Sequence, residues 1–151
     1  MSNLQWSLAS FDQLSPLQLY AILKLRSEVF VVEQQCIFLD MDDKDPHCYH
    51  LMGWKDDELV ATTRLVPPGI SYPEASIGRV ATSLSIRRTG IGKELMERSI
   101  ALAIELFKTN TLVIGAQLYL EKFYSNLGFR KSSEIYLEDG IEHIEMTLIL
   151  P

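Results

Sequence analysis

The segment Arg87-Arg88-Thr89-Gly90-Ile91-Gly92-Lys93 decides how the rest of the chain is read. It stands between a short strand-like run, Ser76 to Thr82, and the long apolar stretch Ile91 to Phe107. Two glycines allow a backbone to approach a ligand closely, and a helix N-terminus offers unpaired N–H groups to an anion. Arg87, Arg88 and Lys93 add positive charge beside that end. A diphosphate suits this chemistry, while a glycine-containing turn with a solvated basic patch stays open on these residues alone. Two common phosphate loops are excluded by spacing. A P-loop needs glycine at position 87 and Ser or Thr after the lysine, where Arg87 and Glu94 stand. A dinucleotide fingerprint needs a small third residue at position 95, which is Leu95, and an earlier place in the chain.

Working outward, Ile91 to Phe107 has apolar residues around most of a helical circumference, which predicts deep burial. Leu112 to Ala116 follows as a short buried strand. If Ser76–Thr82 and Leu112–Ala116 share a sheet, the unit is a right-handed parallel crossover. Upstream, Leu4, Trp6 and Leu8 alternate with polar residues as in an edge strand. Ser15-Pro16-Leu17-Gln18 combines an N-cap, a first-turn proline and a capping-box glutamine, opening a helix that carries Leu19, Ile22, Leu23, Leu25, Val29 and Phe30. Glu33 to Pro46 turns polar and acidic and reads as a loop. His50–Trp54 and Leu59–Val66 flank the polar turn Lys55 to Glu58 as a hairpin. Downstream, Leu120, Phe123, Tyr124 and Leu127 share one helix face, and Gly128-Phe129 supplies a Schellman-type stop. Arg130–Leu137 and His143–Leu150 flank Glu138-Asp139-Gly140-Ile141, where Asp-Gly signals a tight hairpin. The order β-α-β-β-β-α-β-α-β-β predicts an α/β (α+β) fold: one mixed, twisted sheet of six to seven strands around a central parallel βαβ unit, with three to four helices.

At 151 residues and 47% hydrophobic, the chain suits a single domain, 1–151, with a full core. A net charge of −6 argues against nucleic acid as partner, because phosphate contacts need a basic face. No export signal or membrane-spanning run is evident, so Cys36 and Cys48 read as free thiols in the cytoplasm. Asp40, Asp42, Asp43 and Asp45 crowd together, but a calcium loop would need glycine at Asp45 and glutamate at Leu51. They read as a solvated acidic loop at the mouth of a substrate site, with no metal.

The glycine segment is matched by a second, C-terminal piece. Arg87-x-x-Gly90-x-Gly92 resembles motif A of the GCN5-related N-acetyltransferase (GNAT) superfamily, and Phe123-Tyr124 with Leu127-Gly128-Phe129 resembles the end of its motif B. One helix and one strand separate them, as in that family. Leu25-Arg26, Val29 to Gln34, His50-Leu51-x-Gly53-Trp54, Ile77 to Val80, Gly115 to Gln117 and Gly140-Ile141-x-His143-Ile144 extend the resemblance to the ElaA-like branch over nearly the whole chain.

The resemblance implies an acetyltransferase in which acetyl-CoA and a primary amine meet and the amine attacks the thioester directly. Val80, Ala81 and Thr82 would present backbone groups to the pantetheine arm and thioester carbonyl. Arg87, Arg88, Thr89, Gly90, Ile91, Gly92 and Lys93 would cradle the diphosphate, and Tyr124 would protonate the departing thiolate. A protonated amine needs a base, for which Glu33, His50 and His143 are candidates. For each of these a structural hydrogen bond or ion pair is the plainer role. The acceptor is a small-molecule or peptide amine. A non-catalytic coenzyme A-binding module, an acyltransferase with a longer donor, and a homodimer formed through the C-terminal hairpin stay open.

Overall fold

The structure, a computed structural model, describes residues 3–151. Strand β1 (Gln5–Ser10) is followed by helix α1 (Pro16–Arg26), then by the antiparallel strands β2 (Tyr49–Lys55), β3 (Glu58–Val66) and β4 (Ser76–Thr82). Helix α2 (Ile91–Phe107) leads to β5 (Thr111–Gln117), and the short helix α3 (Glu121–Asn126) leads to β6 (Arg130–Lys131), β7 (Tyr136–Glu138) and β8 (Ile141–Ile149). The mixed α/β class is the expected one. Among the described residues no helix is long and apolar enough to cross a membrane.

Local signals hold where the chemistry is local. Ser15 Oγ accepts from Gln18 N at 3.1 Å and Gln18 Oε1 accepts from Ser15 N at 2.9 Å, closing the capping box that starts α1. At the end of α3, Phe129 N donates to Tyr124 O and Gly128 N to Ser125 O, with Gly128 at φ +106°. That is the Schellman pattern. Asp139 and Gly140 both have positive φ (+52° and +76°), and Glu138 pairs with Ile141, so β7 and β8 are joined by a two-residue primed turn.

The parallel crossover departs from expectation. Among the described residues eight strands form two sheets, β1-β2-β3-β4 and β5-β8-β6 with β7 on β8, rather than one sheet of six to seven strands. They are linked by a parallel bridge, Ala75 to Leu112, where Val113 N donates to Ala75 O at 3.0 Å. Past it, β4 bends away from β5. On β3, Thr62 pairs with Ala81 and Arg64 with Gly78, so β4 carries one residue too many, and Arg79 there adopts φ +47°. A bulge of this kind bends its strand. The wedge that opens between β4 and β5 is the main consequence for function.

Two further departures bear on the site. The first helix does not run on in α geometry to Phe30; after Arg26 it widens to π-helical turns over Ser27–Glu33. The expected strand Arg130–Leu137 is broken into β6 and β7, although Ser132 N still reaches Glu145 O at 2.8 Å.

The strand period of two puts Leu51 and Met52 on opposite faces of the first sheet. Met52, Leu59 and Ala81 pack under Ile22, Leu25 and Val29 of the first helical segment. Leu51, Val60 and Ala61 pack against Ile91 and Leu95 of α2. A third cluster joins Ile77 and Met96 to Leu112, Ile114, Phe129 and Ile144 of the second sheet.

The acidic stretch is not a solvated loop. Arg26, fully buried in α1, donates from Nε to Asp40 Oδ2 and from Nη1 to Asp45 Oδ1, both at 2.8 Å. Arg64 grips Asp42 with two bonds of 2.7 and 2.6 Å and reaches Asp45 Oδ1 at 3.0 Å. Arg79 Nε lies 2.8 Å from Asp40 Oδ1, an ion pair off the hydrogen-bond direction, and its Nη2 donates to Asp40 O at 2.8 Å. Three cations and three anions thus neutralise one another, and only Asp43 of the four aspartates is exposed. Burial alone would raise the Asp45 pKa, but hydrogen bonds and charge from Arg26 and Arg64 outweigh it and hold the carboxyl below its ordinary value.

His50 belongs to the same buried layer. Its Nε2 is 3.0 Å from Asp45 O, a carbonyl that can only accept, so Nε2 carries the proton. Burial lowers its pKa and keeps the ring neutral. Being 1% exposed and off the cleft described below, His50 is a structural histidine and not a base for an incoming amine.

Candidate active site

The wedge between β4 and β5 is a cleft of about 480 Å³. Of the residues singled out in the sequence, it brings together Glu33, Val80, Thr82, Arg87, Gly92, Tyr124 and His143. Ala81 and Ile91 turn into the core, and Arg88, Thr89, Gly90 and Lys93 are exposed beyond the cleft lining.

One wall is the end of β4 and the start of α2. Gly90 caps α2 at φ +86°, a left-handed conformation in which a side chain would be strained. Gly92 differs. It has no positive φ, and a Cβ built on it would meet nothing within 4 Å. A helical glycine costs up to about 1 kcal/mol relative to alanine. Neither packing nor backbone conformation calls for glycine at 92, so the open space it leaves faces the cleft and is available to a guest.

The opposite wall is β5 with α3. Tyr124 is 6% exposed, its ring edge-on to Phe123 and Phe129 at centroid distances of 5.1 and 6.1 Å. Burial, with Tyr119 nearby, pushes its pKa up to about 12, so the phenol keeps its proton at neutral pH. Gly115 makes room for two phenols: a Cβ there would lie 2.9 Å from the hydroxyls of both Tyr72 and Tyr136.

The π-helical segment and the residues after it span the mouth. Both Glu33 oxygens accept from Arg87, Oε1 from Nη2 at 2.8 Å, and Arg87 Nη2 also donates to Thr82 O at 2.8 Å. Gln34 and Gln117 exchange amide hydrogen bonds of 3.3 and 3.4 Å. Cys36 Sγ donates to Asp139 O at 3.4 Å. Residues 33–36 therefore fasten α1 to β4 on one side and to β5 and the β7–β8 hairpin on the other. The Glu33–Arg87 pair alters two expectations at once: the carboxylate is engaged, and the guanidinium is turned toward protein rather than open to phosphate. The residues are 54 positions apart, and nothing local in the sequence joins them.

His143 sits at the hairpin end of the cleft, 7% exposed, with Nδ1 2.7 Å from Ile141 O and Nε2 3.8 Å from Glu138 Oε2. Glu138 is a cleft residue that the sequence reading missed. The hairpin signal could have found it, because a two-residue turn at 139–140 pairs His143 with Tyr136 and brings residue 138 diagonally beside it. Among the described residues no group of three or more His, Cys, Asp or Glu side chains could hold a metal ion.

This architecture, two sheets splayed at a strand bulge above a glycine-led helix, has relatives. Residues 19–150 match the Acetyltransferase (GNAT) domain family. The chain belongs to that family. Among its relatives, a UPF0039 protein of Synechocystis is 41% identical over 150 residues, covering 99% of this chain and 97% of that one. ElaA of Escherichia coli is 39% identical over 145 residues, 95% of each chain, and its crystal structure superposes with a TM-score of 0.90 over 96% of this chain and 99% of that one. The crystal structure of an acyl-CoA N-acyltransferase from Pseudomonas aeruginosa, 39% identical, superposes with a TM-score of 0.92 over 97% and 99%. The ElaA-like resemblance and the GNAT fold both stand.

Proposed function

We propose that this GNAT domain transfers an acetyl group from acetyl-CoA to a primary amine within a ternary complex. The observation that carries the reading is Gly92, a helix-start glycine required by neither fold nor packing and lining the cleft. N–H groups at the start of α2 would hold the coenzyme's diphosphate, which gains from the helix dipole there. The backbone of Val80 to Thr82, freed from pairing with β5 by the bulge, would align the pantetheine arm and the thioester.

In this reading the neutral amine nitrogen attacks the thioester carbonyl carbon. A C–N bond forms, the C–S bond breaks, and the Tyr124 hydroxyl gives its proton to the leaving sulfur. Burial of the phenol supports that role, since it must stay protonated until the thiolate departs. Of the remaining base candidates, His143 has a ring nitrogen facing an acidic neighbour, whereas Glu33 is engaged by Arg87.

The test is thermal and catalytic. Acetyl-CoA at about 100 times its Kd adds roughly 2.7 kcal/mol of stability, several degrees of Tm. Thiol release should then depend on added amine. An unshifted Tm at millimolar acetyl-CoA would overturn the reading.

A further inference from the structure

We infer that the β7–β8 hairpin forms the acceptor end of the cleft, where Glu138 and His143 together bind the acceptor as an ammonium ion and His143 Nε2 takes its proton. This rests on the N-acetyltransferase reading above. It names the acceptor class as aliphatic primary amines that are cationic at neutral pH.

The tautomer follows from one contact. His143 Nδ1 lies 2.7 Å from Ile141 O, and a carbonyl only accepts, so Nδ1 carries the hydrogen. In the neutral ring Nε2 is therefore a free lone pair. The ring plane is held by Tyr136, stacked at 5.8 Å with a tilt of 26°, whose hydroxyl is in turn hydrogen-bonded to Tyr72.

Nε2 is 3.8 Å from Glu138 Oε2. That gap is too long for a hydrogen bond, yet a single nitrogen at about 2.8 Å from each atom fits between them. Such a nitrogen would donate one hydrogen to the carboxylate and one to the imidazole. The charged groups around the ring are Glu138, Asp139 at the turn and Glu145, two residues along β8; Tyr72 and Tyr136, whose pKa values burial and the charges of Glu138 and Glu145 raise, and the in-register Gln117 are neutral there. A site of this charge favours a cationic acceptor. Glu33, the other carboxylate at the cleft, is engaged by Arg87.

The proton balance closes. The ammonium gives one proton to Nε2 and becomes a free amine, which attacks the thioester carbon. Tyr124 protonates the leaving sulfur and is reprotonated by the second hydrogen that the attacking nitrogen sheds as the amide forms, while His143 releases its own proton to solvent. The products are an N-substituted acetamide, the thiol and one proton.

The experiment uses the full chain with acetyl-CoA and 1,4-diaminobutane, butylamine or aniline. Glu138→Gln is expected to raise KM for the two aliphatic amines about 10-fold, with KM for acetyl-CoA within about twofold. His143→Gln is expected to lower kcat about 100-fold, and its residual kcat/KM should keep climbing with pH as free amine accumulates, where the parent levels off. Aniline, neutral at pH 7, should be indifferent to Glu138→Gln. An independent readout is the 15N spectrum of His143, which 1,4-diaminobutane should perturb in the parent but not in Glu138→Gln. A perturbed ring without acetyl transfer would overturn the enzymatic reading and leave the ammonium site standing. An unperturbed ring, or a Glu138→Gln variant with unchanged amine KM, would overturn the inference itself.

Discussion

Two clusters of charge adjoin the β4 bulge, and both pair arginine with carboxylates. Arg26, Arg64 and Arg79 with Asp40, Asp42 and Asp45 form a buried knot, in which Arg26 is 1% exposed. Glu33 with Arg87 sits at the mouth of the cleft, their side chains 34% and 30% exposed. In the knot Arg26, Arg64, Asp40 and Asp45 have been taken out of water and depend on their partners, so removing one leaves another short of compensation. At the mouth, solvent screens the pair and either member can be lost cheaply. Burial therefore divides the charged residues between a knot that holds the loop 40–45 in place and a pair at the cleft mouth that water still reaches. Tyr124 and His143 line the cleft, where burial keeps the proton on the first and a carbonyl contact fixes the tautomer of the second.

Breaking the knot should have the largest effect. Arg26→Ala takes one of two arginines from each of Asp40 and Asp45, leaving them to Arg79 and Arg64 alone, and should cost about 3–5 kcal/mol, on the order of 10 °C in Tm by calorimetry. Glu33→Gln, by contrast, should stay within about 1 kcal/mol of the parent. If both variants lose the same stability, burial is not what separates the clusters.

Acid should act on the knot as well. Asp42 and Asp45 are held below their ordinary pKa despite burial, by Arg64 and by Arg26 with Arg64 respectively. A depressed folded pKa gives stability that is present above the unfolded value, near 4, and lost as pH falls through the folded one. The buried neutral His50 adds a loss beginning below about pH 6.5, since the unfolded ring charges first. Denaturant midpoints should therefore fall from about pH 6 downward, most steeply below pH 4. In His50→Gln the upper part of that fall should disappear.

Tyr124→Phe keeps the ring among Phe123 and Phe129 and deletes the proton donor. A thiolate of pKa about 8.5 leaves tolerably without help, so kcat should drop only about 10- to 100-fold, with acetyl-CoA affinity within about threefold. Unchanged turnover would assign Tyr124 to packing.

The smallest effect should carry opposite signs. Gly92→Ala should stabilise the free protein by about 0.5–1 kcal/mol, because a Cβ there meets nothing and helix propensity improves. The same methyl should weaken coenzyme A binding in calorimetry. Tighter or equal binding would show that the open space serves no ligand.

Features written in consecutive residues were legible in the amino-acid order. The capping box at Ser15 and Gln18, the Schellman stop at Gly128-Phe129, the primed turn at Asp139-Gly140 and the glycine start of α2 each close within a few residues. Their hydrogen bonds and dihedral demands are satisfied locally, so spacing alone reveals them. From these came the element order and the fold class, while the roles expected of Gly92, Tyr124 and His143 followed from the family resemblance. What tertiary structure alone decided joins residues far apart in the chain. One extra residue in β4 splits the expected single sheet into two and opens the wedge. Arg26 meets Asp45 across 19 positions and Arg64 meets Asp42 across 22, turning an acidic loop into a buried knot that also takes His50 from the list of bases. Glu33 finds Arg87 across 54. An ionisable residue's role depends on which opposite charge reaches it and how much water remains, and neither quantity exists until the sheets have packed.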